Sequence, residues 1–69
     1  MADVKIGDYM LSDRAGVFFL IDADGRIVGT LLPQPDGSWR CKMPRGGVAT
    51  FRPPDGVPDP ASWIARQIV

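Results

Sequence analysis

Apolar and polar positions alternate over short stretches of this chain, and glycine or proline interrupts them every few residues, which is the pattern of strands joined by tight turns. Five stretches read as strands: 6–11, 17–22, 26–32, 38–43 and 48–52. A proline-rich loop, 53–58, follows them. Asp59-Pro60 then supplies a helix N-cap and a proline at the first helical position, and Ala61, Ile64, Ala65 and Ile68 share one face of a helix over about 60–69. The expected fold is α+β: a small antiparallel five-stranded meander, open or curled toward a partial barrel, with one C-terminal helix. No repeat, low-complexity tract or linker divides the chain, so residues 1–69 are expected to form a single domain.

The turns predict the register. Each connection holds a glycine where a three-residue hairpin loop needs a left-handed residue: Arg14-Ala15-Gly16, Ala23-Asp24-Gly25, Pro35-Asp36-Gly37 and Arg45-Gly46-Gly47. Such loops set Asp22 opposite Arg26, Gln34 opposite Ser38 and Pro44 opposite Val48. One face then collects Tyr9, Leu11, Val17, Phe19, Ile21, Ile27, Leu31, Trp39, Cys41, Met43, Ala49 and Phe51, and this is the expected core. The other collects Met10, Phe18, Leu20, Val28, Thr30, Leu32, Arg40, Lys42, Thr50 and Arg52. On that second face Phe18, Leu20, Val28 and Leu32 form an apolar patch where a solvated face should be polar. Beside it runs a basic strip of Arg40, Lys42 and Arg52, with Arg45 in the adjoining turn.

Composition narrows what such a surface can serve. A chain of 69 residues buries a modest share of its surface, and small folds commonly gain stability from disulfides, metals or partners. One cysteine, Cys41, makes no internal bridge, and there is no histidine. The net charge of zero lacks the basic excess of a protein devoted to a phosphate backbone. All eight acids are aspartate, most of them beside glycine or proline, where a short acceptor supports turns and caps. No apolar run approaches the roughly 18 residues of a membrane span, and the N-terminus lacks a secretory layout, so a cytoplasmic protein with no membrane partner is expected.

The motifs that carry chemistry elsewhere are incomplete here. Asp22-Ala23-Asp24-Gly25 opens like a calcium-binding EF-hand loop, but Arg26 and Ile27 occupy its next two positions and its closing glutamate is missing, so a hairpin turn is expected. Cys41 has no histidine to activate it, and its alternation points it inward between Trp39 and Met43. Gly46-Gly47 lacks the lysine and hydroxyl residue of a phosphate-cradling loop. Trp39 and Trp63 fall where core residues belong, not where bases would stack. No catalytic residue, metal, cofactor or small-molecule substrate is therefore expected.

Between Gly37 and Pro54 there are four positive residues and no acid, on a hairpin of the kind that can enter a DNA groove. The stretch from Asp36-Gly37-Ser38-Trp39-Arg40-Cys41-Lys42 through Phe51-Arg52 to the Trp63 helix looks faintly like the arm-type DNA-binding domains of phage integrases. Those positions are commonplace in small sheets, and no family is recognised on them. The expected function is a small non-enzymatic protein-binding module of inhibitor or adaptor type, a class that includes phage-encoded proteins. Its partner is another protein or a second copy in a homodimer, held through Phe18, Leu20, Val28, Leu32, Arg40, Lys42, Arg45 and Arg52. The alternative is nucleic-acid binding through the basic hairpin 38–52.

Overall fold

A computed structural model describes residues 3–69. Along the chain come β1 (Val4–Ile6), β2 (Tyr9–Arg14), β3 (Val17–Ile21), β4 (Ile27–Pro33), β5 (Trp39–Lys42), β6 (Val48–Phe51) and the helix α1 (Pro60–Ile68). The strands lie in sequence order, each antiparallel to the next. The α+β expectation holds with two corrections: the sheet has six strands, not five, and it is open, with β1 and β6 as its edges.

The additional strand comes from a turn inside the stretch expected to be continuous. Gly7 adopts φ +59°, which lets Ile6 pair directly with Tyr9 across a two-residue Gly7-Asp8 loop. Closure into a barrel is not needed because the helix fills the core face. Ile6, Leu11, Leu20, Leu31 and Cys41, one from each of the first five strands, cluster with Ala61, Ile64, Ala65 and Ile68. A helix about 10 Å across cannot cover six strands spaced about 4.8 Å apart. Half-buried Tyr9, Phe18, Trp39, Phe51 and Trp63 extend the cover around it. Phe18 and Trp39 meet with ring centroids 5.5 Å apart at a tilt of 55°, a favoured aromatic geometry.

The helix begins where the Asp-Pro pair predicts. Asp59 accepts the Ser62 backbone N–H at 3.3 Å and the Ser62 hydroxyl at 2.6 Å, and Pro60 follows at the first helical position. Asp59→Ala should lower stability by about 1 kcal/mol. A fall in the urea midpoint at unchanged slope is the measurement that checks it.

The loops over residues 23–25 and 35–37 have their expected three-residue form: Asp22 N–H donates to the Arg26 carbonyl at 2.9 Å and Gln34 N–H to that of Ser38 at 2.8 Å. The last hairpin turns one residue earlier, through Pro44-Arg45-Gly46, with Met43 N–H donating to the Gly47 carbonyl at 3.1 Å. This moves the pairing by two residues and leaves every residue of β5 and β6 on its expected face.

Strand β3 is different. Its turn is the two-residue Ala15-Gly16, with φ of +54° and +85°, the type I′ geometry that matches strand twist. The Gly16 N–H is held by the Asp13 carboxylate at 3.2 Å. Arg14 therefore pairs with Val17, one residue from the expected register, and β3 turns over. A bulge then reverses the offset: Ile21 pairs with Ile27 but Leu20 pairs with Gly29, leaving Val28 as the inserted residue. From Gly29 onward the expected faces return.

These two offsets correct the expected surface. Leu20 is fully buried, and Phe18 and Val28 are half-buried against the core, so the three are not the exposed apolar centre expected of them. Val17, Phe19, Ile21 and Ile27, expected inside, lie on the opposite face, where Ile27 is 61% exposed.

Candidate functional site

The helix covers one side of the sheet and leaves the other open. Directly paired residues share a face, so the register defines the surface of that outer side. Met10, Ile21 and Ile27 line up across β2, β3 and β4, and a second row runs Ser12, Phe19, Thr30, Lys42 and Val48. Leu32, Arg40 and Thr50 form a third, with Arg14 and Val17 at the β2–β3 end. The outer face thus has an apolar centre on β3 and β4 and a basic flank on β5.

Of the residues expected to bind a partner, Leu32, Arg40 and Lys42 stand together on this face, all exposed. Arg45 is at the tip of the β5–β6 hairpin. Arg52, just past β6, is tied down: its guanidinium donates to the Asp36 carbonyl at 2.9 Å and lies 3.5 Å from the Asp36 carboxylate. The Asp36 carboxyl is held below the usual range by the Ser38 hydroxyl and backbone N–H, with Arg52 adding to this. Phe18, Leu20 and Val28 are not part of the surface.

Phe19, Ile21 and Ile27 take their place. With Ser12 and Arg14 they line a depression of about 270 Å³, formed because the small Ser12 side chain sits opposite the Phe19 ring. A second depression of about 350 Å³ lies at the basic end, between Arg40, Thr50 and the turn residues Gln34 to Ser38. The signal for the missed residues was Gly29. A glycine inside a strand pattern marks a bulge or a close backbone approach, and both occur here.

Groups that could do chemistry are engaged in structure. The Asp22 carboxylate accepts the backbone N–H groups of Asp24 and Arg26, each at 2.9 Å, and closes the hairpin tip that resembled a calcium loop. Among the described residues no group of three or more His, Cys, Asp or Glu side chains could hold a metal ion. Cys41 is fully buried, and loss of solvation pushes its thiol up to about 11. Two results should follow. Alkylating reagents should label the native protein far more slowly than the urea-unfolded chain at the same pH. Stability should also fall as pH rises from the ordinary thiol range toward 11, because the unfolded chain ionises there before the folded one does. Comparing urea midpoints of the native chain and Cys41→Ala across that range isolates the thiol.

Among the described residues no helix is long and apolar enough to cross a membrane. Comparisons with protein-family models, curated proteins and solved structures give no match for this chain.

Proposed function

We propose that this chain is a non-enzymatic protein-binding module of the inhibitor or adaptor type, and that its binding surface is the outer sheet face. The observation that carries this reading is the uncovered apolar centre. Met10, Ile27 and Leu32 are exposed on a sheet whose other side already supplies a complete core. An antiparallel sheet with one solvated side ordinarily presents polar residues there, and apolar groups left together on such a side mark a contact surface. Phe19, Ile21 and Ile27 act as its anchors, and Arg14, Arg40 and Lys42 as its charged margin.

The test is affinity capture from an extract of the source organism, with the native chain and Ile27→Asp compared as baits. Ile27 is largely exposed, so the variant should keep its stability to within about 1 kcal/mol. It should lose at least one protein that the native chain retains. A bait set that retains the same proteins in both cases counts against the outer face.

The second reading is nucleic-acid binding, favoured by the exposure of Arg40, Lys42 and Arg45 on one edge hairpin. Salt separates the two. Binding through four phosphate contacts falls with log salt at a slope of about −3 to −4, whereas an apolar interface hardly responds.

A further inference from the structure

Charge on the outer face is segregated to a degree that composition does not explain. The chain has equal numbers of acids and bases, yet the outward positions of the strands carry Lys5 on β1, Arg14 on β2, and Arg40 and Lys42 on β5, with no aspartate. The aspartate within the strands, Asp13, pairs with Phe18 and so faces the core side. Asp3 precedes β1, and Asp36 lies in a turn where Arg52 engages it. The cations form two rows, on β1–β2 and on β5, with the apolar strip of β3 and β4 between them. From β2 to β5 there are three strand spacings, about 14 Å. An α-helix with its side chains is about 10–12 Å across.

We infer that the outer face receives an acidic amphipathic helix of a partner protein. The helix lies along β3 and β4, places an apolar side chain in the depression lined by Ser12, Phe19, Ile21 and Ile27, and sets carboxylates against Arg14 on one side and Arg40 and Lys42 on the other. This rests on the protein-binding reading above and names its partner's chemistry. Apolar anchors at helical spacing supply the affinity of such a groove, and the charged margins select the partner.

The other occupants fit less well. A second copy docked face to face sets one cationic surface against another, and like charges brought together across an interface disfavour the pairing. Single-stranded nucleic acid needs aromatic platforms. Here Phe19 is the one strand aromatic on the outer face, while Tyr9, Phe18, Trp39 and Phe51 lie on the core side. A bilayer presents no protruding side chain to fill a depression.

The test is selection of a ribosome-displayed library of random peptides, each about 16 residues and so about 24 Å long as a helix, on the immobilised full chain. Recovered peptides should be net acidic, with apolar residues spaced i, i+3 or i+4, and i+7. Their affinity should fall about tenfold or more against Ile27→Asp, against Arg14→Glu and against Arg40→Glu/Lys42→Glu, and should weaken with salt. Unchanged far-ultraviolet dichroism and urea midpoints show that the baits are folded. Neutral or basic peptides that still lose binding to Ile27→Asp overturn the acidic helix and leave the protein-binding reading standing. Peptides indifferent to Ile27→Asp, or no peptide at all, overturn both. So does an oligothymidylate or a phosphatidylserine vesicle that binds more tightly than the selected peptides and displaces them.

Discussion

Leu20→Ala should cost the fold about 3 kcal/mol, within the range of 2–5 for a fully buried leucine. Leu20 has no exposed surface and pairs with Leu11 on β2 and Gly29 on β4, at the centre of the cluster that α1 covers. Folds of this size seldom hold more than about 3–5 kcal/mol in reserve, so the variant should be largely unfolded at room temperature, with tryptophan emission shifted to the red and dichroism flattened. Phe19→Ala, one residue earlier, removes a larger side chain but should cost less than half as much, because that ring faces outward. Chemical denaturation of the pair therefore reads the orientation of β3 directly. The reverse ranking would place Phe19 in the core.

Gly29→Ala should cost about 2 kcal/mol, for a reason unrelated to backbone freedom. A Cβ at that position would lie 2.8 Å from the Lys42 carbonyl oxygen and 3.5 Å from the Leu20 Cβ. The first of these is backbone in the neighbouring strand, so relief requires the β4–β5 ladder to move, and forced overpacking of this kind costs about 1–3 kcal/mol. Gly25→Ala is the control. Its φ of +83° makes alanine unfavourable, but nothing lies within 4 Å of the added carbon, and the loss should be about 1 kcal/mol from the backbone alone. Urea midpoints in that order support the close approach as the role of Gly29. Equal midpoints count against it.

Much of the architecture was legible because several independent signals agreed. The Asp59-Pro60 cap, the helical spacing of Ala61, Ile64, Ala65 and Ile68, and the glycine at the end of each three-residue loop all pointed to the observed elements. The outward positions of Leu32, Arg40 and Lys42 were read correctly, and with them the basic side of the candidate site. The apolar side was not. Strand β3 is apolar at every position from Val17 to Ile21, so alternation could not orient it, and the decision fell to turn length. Arg14-Ala15-Gly16 fits a three-residue loop by composition, but Ala15 itself takes a left-handed conformation, which few non-glycine residues do. The Gly7-Asp8 turn was visible as a glycine-first pair but lay inside what read as one alternating strand. The bulge at Val28 was signalled only by Gly29. Because the turn and the bulge offset the pairing in opposite senses, the error stayed within β3 and the first residues of β4.

That mutual cancellation gives the fold an unusual tolerance to changes of chain length in the course of descent. Loss of Val28 alone would turn β4, β5 and β6 inside out, carrying Leu31 and Cys41 into solvent, and an extra residue at Ala15-Gly16 alone would do the same to everything from β3 onward. Together the two changes leave the other strands as they are and exchange the sides of β3. Phe18 and Leu20 then face outward while Val17, Phe19 and Ile21 pack under α1. Both sides of this strand are apolar enough to serve as core. A lineage carrying this fold can thus replace the centre of its exposed surface in one paired insertion and deletion, without altering a residue of the remaining sheet.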